Sequence, residues 1–457
     1  MRRLDLPYLS RLSIILTWLV LLFVTPQAKA DVIYQAFNEH FVDIETKLDE
    51  LAAIGYSHIQ VSPPQKSINF NQWWARYQPL DLRVIDSPLG NEGNLLHLIQ
   101  EAHAKGLKVI VDVVFNHMAN ADLAGYPNLD FPQFSARDFH VAAGRSCIKD
   151  FNNRHQVTSF WLCSGSGDSG LPDLDTGSTY VRNEQKKYLA KLLDLGADGF
   201  RFDAAKHIEP EYFGDILGSV PKSTYSYGEV IANSIEEAAL YSDYMPVTDF
   251  NLLSTMITAF SPRGDLRSLM YPVGSRGELP GASKVVFARN HDTAMDSNFY
   301  NFGDLRDSLL ASAFVLARGV GTGFVYRDDY REPIVETAVR FHNKFNGTGV
   351  YVRNADEVCP SKCDARTMLF IERNKSGLVI LNSANNSVDV PLAYMPGLDP
   401  GCYIDMDTKL KVEIGRASNG AISVLEWGAG EQQLRGGFVI GPRSAAFLVK
   451  SSLISCK

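Results

Sequence analysis

The sequence predicts an α/β protein: a closed (β/α)8 TIM barrel, with an inserted domain B after its third strand and a C-terminal antiparallel β-sandwich domain. Three observations lead to this prediction. Strand-like and helical segments alternate from residue 31 to about residue 347, eight such strands can be counted, and helical patterns stop after about residue 351. Alternation of this kind is typical of a parallel sheet, and eight strands favour closure into a barrel. An open, doubly wound parallel sheet is the alternative.

The eight predicted strands are short and rich in branched or aromatic residues. They cover residues 32–37, 58–62, 108–115, 199–203, 225–230, 246–250, 284–288 and 321–325. Between them, apolar residues recur with helical spacing, most clearly over 44–54, 91–105 and 182–195.

One connection is too long for a simple loop. Residues 119–180 follow the third strand and are rich in Gly, Ser, Asn, Asp and aromatic residues. A connection of this length needs its own structure or its own function. We expect a small domain at the carboxyl end of a barrel strand, the end at which barrel enzymes build their sites.

After residue 351 the pattern becomes that of an antiparallel β domain. Strand-like segments with turn residues between them cover 367–373, 378–384, 388–392, 402–406, 410–414 and 438–450. The expected organisation is a signal peptide at 1–30, a barrel at 31–118 and 174–348, the insert at 119–173 and the C-terminal domain at 349–457.

The N-terminus resembles a secretory signal. Three arginines precede an apolar run over 14–24, and Ala28 and Ala30 provide the small residues of a cleavage site. The run is too short to cross a bilayer. We therefore expect export, either to the periplasm or out of the cell, and no membrane association after cleavage; an uncleaved anchor is the alternative.

The six cysteines fit export, because an even number in an exported chain indicates disulfides. Cys147 and Cys163 lie apart from the others and are expected to pair. Cys359, Cys363, Cys402 and Cys456 allow three pairings, and the sequence does not choose among them.

Composition excludes several classes of protein. The chain has 457 residues, 45% of them hydrophobic, which is inconsistent with a disordered or a polytopic membrane protein. Its net charge is −8, and cleavage after residue 30 would make it −11. Proteins that bind nucleic acid through its phosphates are normally basic, so no nucleic-acid partner is expected.

Polar groups follow four of the predicted strands. In GFRFDAAKH (199–207), alternation places Arg201 and Asp203 on the barrel interior, where a charge must be paired. Pairing would keep Asp203 ionised and oriented, as a nucleophile requires. Glu229 ends an apolar strand and suits a general acid. Asp292 follows another strand, and Asp112 lies within a buried strand, where we expect an interior ion pair with Arg201. Convergent carboxylates are the arrangement used in glycoside hydrolysis.

These segments resemble the signature segments of glycoside hydrolase family 13, the α-amylase family. DVVFNH (112–117), GFRFDAAKH (199–207), GEVI (228–231) and FARNHD (287–292) occur in the family's order and on the expected strands. LPDLDT (171–176) is similar to a fifth segment, and WWARYQP (73–79) to an aromatic segment of animal-type and some bacterial α-amylases. The resemblance extends over essentially the whole mature chain.

The resemblance implies residue roles. Asp203 would be the nucleophile, Glu229 the general acid/base and Asp292 the carboxylate that stabilises the transition state. Residues implied in substrate binding are Trp73, Trp74, Tyr77, Gln78, His117, Arg201, Lys206, His207 and His291. Sugar rings have apolar faces, so aromatic side chains are expected among their partners.

The resemblance also implies ions. Asn116, Asp173 and the backbone carbonyl of His207 match calcium ligands, and hard oxygen ligands suit Ca²⁺. Chloride-activated relatives hold chloride with three residues. Arg201 and Asn290 fit two of these, and Arg327 lies near the third position but is offset by one residue. Arg289 departs from the family pattern and is expected to affect acceptor-side binding.

The sequence therefore predicts a monomeric, exported, calcium-binding α-amylase acting on α-glucan polysaccharides by a retaining double displacement. The alternatives are a related transglycosylase or an exo-acting, maltooligosaccharide-forming amylase. A catalytically inactive glucan-binding or transporter-associated protein is the third alternative, but such relatives lack the catalytic carboxylates, and all three are present here.

Overall fold

The computed structural model describes most of the chain beyond the N-terminal segment. Described residues are 32–140, 147–163, 169–271, 277–359, 363–390, 397–416, 422–427, 433–434, 438–453 and 456. The predicted signal peptide lies outside them. In the part of the chain that is described, no helix is long and apolar enough to cross a membrane.

Eight parallel strands form a closed barrel, as the sequence predicts. They are β1 (Val32–Ala36), β2 (His58–Val61), β3 (Lys108–Val114), β4 (Gly199–Asp203), β5 (Tyr225–Gly228), β6 (Val247–Thr248), β7 (Lys284–Val286) and β8 (Thr322–Tyr326). Each strand pairs with the next one in sequence, and β1 pairs with β8 to close the barrel. All eight carboxyl ends therefore meet at one face, which excludes the open sheet.

Helices follow the barrel strands and cover the outer face of the barrel, except for the short helix His291–Met295, which lies at the carboxyl end of the barrel. They are Phe41–Glu45, Leu48–Ile54, Glu92–Ala104, Thr179–Asp194, Pro210–Leu217, Ile235–Ser242, Phe250–Phe260, His291–Met295, Leu305–Arg318 and Pro333–Phe345. The prediction of a single helix over 44–54 is wrong. The chain breaks at Thr46, whose hydroxyl donates to the Asp43 carbonyl, a local bond that competes with the helical pattern.

A small three-stranded sheet between β2 and helix Glu92–Ala104 was not predicted. Its strands are Gln65–Ser67, Pro79–Ser87 and Gly90–Asn91. It carries the 3-10 helix Trp73–Tyr77, so it brings the aromatic segment to the carboxyl end of the barrel.

The connection between β3 and helix Thr179–Asp194 has little regular structure in its described part. It contains helices Ala121–Ala124 and Arg154–Ser159 and the 3-10 helix Ala136–Asp138. Isolated bridges tie it together, among them His117 with Asp173. Arg154 joins it to the barrel by donating to the carbonyls of Lys206 and Ile208.

The C-terminal strands form two packed antiparallel sheets. They are β9 (Val350–Asn354), β10 (Met368–Arg373), β11 (Gly377–Asn382), β12 (Val388–Val390), β13 (Gly401–Asp405), β14 (Lys411–Arg416), β15 (Ile422–Trp427), β16 (Gln433–Leu434), β17 (Phe438–Ile440) and β18 (Ser444–Lys450). The larger sheet has the order β9-β10-β11-β18-β13-β14-β15-β16, and β12 pairs with β17. One hydrophobic core lies between them, which makes a sandwich. The single strand predicted over 438–450 is two strands separated by a turn.

Three disulfides join the six cysteines. Cys147 pairs with Cys163, as predicted. Cys359 pairs with Cys363 and Cys402 with Cys456, which resolves the three pairings that the sequence left open.

Candidate active site

A cleft of about 400 Å³ opens at the carboxyl ends of the barrel strands. It lies between the barrel, the aromatic 3-10 helix and the insert. The residues lining it are Trp73, Trp74, Tyr77, Gln78, His117, Leu162, Leu171, Asp203, Ala204, Lys206, His207, Glu229, Ile231, His291, Asp292, Asp296 and Phe299. The three predicted catalytic carboxylates are among them, together with all the predicted substrate-binding residues except Arg201.

Arg201 lies beneath the cleft and binds the carboxylates of its floor. In the barrel register Asp112 on β3 is directly beside Arg201 on β4, so both side chains point into the barrel. Arg201 Nη1 lies 2.8 Å from both Asp112 oxygens and 2.8 Å from Asp203 Oδ1. Its Nη2 contacts Glu229 Oε1. The predicted ion pair with Asp112 is therefore present, and one guanidinium orients three acids.

This cluster holds more acid than base, and that imbalance retains protons. Burial and the neighbouring carboxylates raise the pKa of Asp203, although Arg201 opposes the shift. Burial raises the pKa of Asp112 to about 6. Burial and mutual repulsion therefore make Asp112 and Asp203 harder to ionise than isolated carboxyl groups, and Arg201 counteracts this effect.

Local backbone geometry positions Glu229 above Arg201. Ala204 follows β4 with φ +48°, a left-handed conformation that is uncommon for a residue with a side chain. In this turn its N–H donates to Glu229 Oε2 at 3.0 Å. The Glu229 N–H donates to the Phe202 carbonyl at 2.9 Å. The main chain of β4 and of the turn after it therefore fixes both the backbone and the carboxyl group of Glu229. Backbone strain such as that at Ala204 is common at functional sites.

His291 and Asp292 begin the helix that follows β7. Gln35 Nε2 donates to His291 Nδ1 at 2.9 Å, which leaves Nε2 as the N–H group, 3.4 Å from Asp292 Oδ1. Burial lowers the pKa of His291 to about 3, so the imidazole is neutral. Burial raises the pKa of Asp292, which also contacts Glu229. A neutral donor and a carboxylate thus face the same part of the cleft.

Aromatic rings form one wall of the cleft. Tyr77 stacks on His291 with centroids 5.2 Å apart and planes 9° apart, and Phe37 covers His291 at 4.4 Å. The Tyr77 hydroxyl donates to Asp112 Oδ2 at 3.0 Å, which anchors the ring to the carboxylate cluster. Trp73 meets Phe37 edge-on at 5.7 Å. The wall is therefore rigid and offers apolar surface to a ring-shaped ligand.

Polar residues line the remaining walls. His117 Nε2 donates to the Tyr77 carbonyl at 3.0 Å, and burial lowers the pKa of His117 to about 4. Gln78 Oε1 accepts the Asn120 N–H. On the other side Lys206 Nζ donates to the Ile231 carbonyl at 2.9 Å, and the His207 ring bonds the Val157 carbonyl at 3.0 Å. Several of these predicted substrate-binding groups thus also join the insert or the aromatic segment to the barrel.

The residues predicted to hold calcium lie where the insert meets the barrel. The Leu174 N–H donates to the Asn116 carbonyl at 2.8 Å, next to Asp173. Asp173 is buried, and burial raises its pKa to about 7. Its Oδ2 accepts from His140 Nδ1 at 2.7 Å, whereas its Oδ1 has no hydrogen-bond partner. A buried carboxylate with one unsatisfied oxygen fits a hard cation, provided that amide and backbone oxygens complete the site. Within the described ranges, no group of three or more His, Cys, Asp or Glu side chains could hold a metal ion. Amide and backbone oxygens would therefore have to supply the other ligands.

Two of the three residues predicted to hold chloride lie together. Arg201 and Asn290 line a small cavity beneath Glu229 of about 10 Å³. Arg327 is not among its lining residues, and Arg327 Nη1 donates to the Phe37 carbonyl at 2.5 Å. Chloride binding by the three residues together stays a prediction.

Arg289 lies outside the residues that line the cleft. Its guanidinium forms two hydrogen bonds to the buried Asp329, at 2.9 and 3.0 Å, and lies over the Tyr326 ring. Its guanidinium neutralises a buried carboxylate, and an effect of Arg289 on acceptor-side binding stays a prediction.

Sequence reasoning missed six cleft residues. Asp296 and Phe299 come from the loop after helix His291–Met295, and Leu162 and Leu171 come from the insert. The remaining two are Ala204 and Ile231. Leu171, Ala204 and Ile231 lie inside the quoted segments 171–176, 199–207 and 228–231, which was the available signal for them. Leu162, Asp296 and Phe299 lie outside every quoted segment.

Comparison with known proteins identifies relatives of the chain. Residues 41–234 match the α-amylase catalytic-domain family. An α-amylase from Aeromonas hydrophila is 32% identical over 416 residues, covering 80% of this chain and 86% of that protein. An α-amylase from Streptomyces violaceus is 30% identical over 310 residues, covering 66% of this chain and 53% of that protein. A variant of α-amylase I from Eisenia fetida, solved with maltohexaose, shares the fold. It has a TM-score of 0.73 and 22% identity, covering 93% of this chain and 97% of that one.

Proposed function

The chain belongs to the α-amylase family of glycoside hydrolases, and from that premise we propose that it cleaves internal α-1,4-glucosidic bonds of starch, glycogen and maltooligosaccharides with retention of configuration. The observation that carries the proposal is the Arg201 cluster, in which one guanidinium contacts both Asp203 and Glu229 at the floor of an aromatic-walled cleft.

In the first step Asp203 attacks the anomeric carbon while the bond from that carbon to the leaving oxygen breaks. Glu229 gives its proton to the leaving oxygen, and a glycosyl ester forms on Asp203. Asp292 and the neutral His291 face the same part of the cleft, where they would hold the sugar hydroxyls and stabilise positive charge in the transition state. Arg201 orients the attacking carboxylate and favours its ionised form.

In the second step Glu229 accepts a proton from a water molecule, whose oxygen attacks the anomeric carbon as the ester bond breaks. Two inversions at one carbon give net retention. Tyr77, Trp73 and Trp74 would stack on sugar rings on the donor side, and Lys206 and His207 would contact the acceptor side.

The early products from amylose test this function against its alternatives. An endo-acting hydrolase should release maltooligosaccharides of many lengths from the first minutes, which chromatography of timed samples resolves. A single short product from the start would indicate an exo-acting enzyme. Products longer than a supplied maltotetraose would indicate a transglycosylase. Absence of any new product would support a binding protein and overturn the proposal.

Calcium fits the junction of insert and barrel, and the residues that would hold it are Asn116, Asp173 and the carbonyl of His207. A cation bound there neutralises the buried carboxylate and ties the insert to the barrel, so it shapes the cleft between them.

Chelation should therefore lower stability. We expect EDTA to reduce the melting temperature of the wild type by on the order of 5 °C, since a ligand that binds only the folded state stabilises it. Asp173→Asn should melt lower without EDTA and respond little to it. Asp130→Asn, an exposed change in the same insert, should respond like the wild type. An EDTA-insensitive wild type with no calcium by elemental analysis would contradict the assignment.

We also propose that the chain is exported, cleaved after Ala30 and active as a monomer. The signal-like N-terminus and three disulfides support export, because disulfides persist in oxidising compartments. We propose the same division into domains as the sequence predicts, with the barrel at 31–118 and 174–348, the insert at 119–173 and the C-terminal domain at 349–457.

A further inference from the structure

Two exposed tyrosine rings lie together far from the cleft in the fold. Tyr271 is 67% exposed and Tyr351 44% exposed, and their hydroxyl oxygens are 3.5 Å apart. Among the described residues, no other large hydrophobic side chain is as exposed as Tyr271. Tyr271 follows the 3-10 helix Leu266–Leu269 on the barrel side, and Tyr351 lies in β9 of the sandwich. The pair therefore spans the junction between barrel and C-terminal domain.

The Tyr351 ring is held by Arg353, and the Tyr271 hydroxyl contacts the Tyr351 hydroxyl. The Arg353 guanidinium lies 4.0 Å from the centroid of the Tyr351 ring, and Arg353 is itself bound by Glu357 and Glu372. Three residues after Tyr351 in β9, Asn354 donates to Met270 Sδ at 3.0 Å, which joins the two segments that carry the rings. A second link is the Leu266 N–H, which donates to the Arg366 carbonyl at 2.8 Å. Such a surface would lose little conformational freedom when it binds a ligand.

The topology places this pair at the end of the barrel opposite the cleft. Helix Phe250–Phe260 begins directly after β6, at the carboxyl ends of the strands, and runs back toward their amino ends. The residues from 261 to 271 follow that helix and precede β7, so they lie at the amino-terminal end of the barrel. None of the cleft residues belongs to this surface.

The chemistry of the surface suits a neutral, polyhydroxylated chain. Tyrosine combines an apolar face with a polar tip, and sugar rings present apolar C–H faces edged with hydroxyls. Arg353 is compensated by two carboxylates, so it does not make a site for an anionic ligand. We propose that Tyr271 and Tyr351 form a secondary binding platform for an α-glucan chain. The choice of ligand rests on the proposed function. A polymer held here stays attached to the enzyme, which raises the effective concentration of its other segments at the cleft.

Adsorption to starch granules tests the platform separately from catalysis. The double variant Tyr271→Ala/Tyr351→Ala should adsorb with roughly tenfold weaker affinity than the wild type and digest granules correspondingly more slowly. Its kcat/KM on maltopentaose, which is too short to reach both sites, should stay within about twofold. Tyr271→Phe/Tyr351→Phe keeps the rings and should adsorb nearly as well as the wild type. Tyr244→Ala, at another partly exposed tyrosine, is the matched control and should change nothing.

The outcomes separate the platform from the proposed function. Wild-type adsorption by the alanine variant, with intact hydrolysis of maltopentaose, overturns the platform alone. Adsorption that depends on the tyrosines in a protein that hydrolyses no α-glucan supports the platform and overturns the function. A wild-type dimer that becomes a monomer in the alanine variant, with adsorption unchanged, would assign the surface to a second copy of the chain and overturn the proposal.

Discussion

Replacing Glu229 by Gln is expected to abolish nearly all hydrolysis of soluble starch while leaving the protein folded. Loss of a general acid that also serves as the general base should reduce kcat by at least about 10³-fold. The amide retains the shape of the side chain and can still accept the Ala204 N–H. It also removes one acid from a cluster in which carboxylates outnumber the guanidinium. The melting temperature should therefore equal or exceed that of the wild type, as scanning calorimetry would show.

A substrate that needs no acid distinguishes this role from a structural one. Fluoride leaves without a proton, so Glu229→Gln should release a rapid burst of about one equivalent of fluoride from α-maltosyl fluoride, while the second step, which needs a base to activate water, stays slow. Glu211→Gln, on helix Pro210–Leu217 outside the cleft, controls for the change from acid to amide. Starch hydrolysis by Glu229→Gln within tenfold of the wild type would contradict the assignment.

Replacing Asp203 by Asn is expected to have an equally large effect of a different kind. Without a nucleophile no glycosyl ester can form, so turnover should fall by at least about 10⁴-fold on starch and on α-maltosyl fluoride alike. The variant should fold, because Arg201 keeps its bonds to Asp112.

The two substrates used together separate the two carboxylates. A rapid burst of fluoride release by Glu229→Gln but not by Asp203→Asn assigns the acid and the nucleophile as proposed. The reverse pattern would exchange the roles. Asp215→Asn, whose side chain is partly exposed and pairs with Lys186, is the matched control and should behave as the wild type on both substrates.

Much of the fold could be predicted because the barrel repeats a simple pattern. Buried parallel strands read as short apolar runs, and a polar group at the end of each run marks the face where the site forms. The alternation in β4 also placed Arg201 and Asp203 on the interior, since side chains in a strand alternate between two faces. The ion pair of Arg201 with Asp112 follows from the same rule and the barrel register.

Other features could not be predicted because they depend on distant contacts. The sheet that carries Trp73 and Tyr77 has irregular register and little apolar alternation, so it gave no strand signal. Arg289 and Arg327 lie close to the motifs in sequence, yet their guanidinium groups bond Asp329 and the Phe37 carbonyl. Only the packing of the loops that follow β1 and β8 determines these partners.

The junction between the domains shows the same limit. Tyr271 and Tyr351 are separated by 80 residues, and no pattern in either segment predicts their contact. The distance between them follows from how the segment after helix Phe250–Phe260 packs against the sandwich, which a tertiary structure alone defines.

Proton NMR of the first products distinguishes a double displacement at the anomeric carbon from a single one. Purified mature protein would be mixed with a maltooligosaccharide, and the anomeric signals followed before mutarotation equilibrates them. With two inversions, the new reducing ends should appear first in the α configuration and only later as the β anomer. Initial appearance of the β anomer would mean a single inversion, and it would contradict the role of Asp203 as nucleophile.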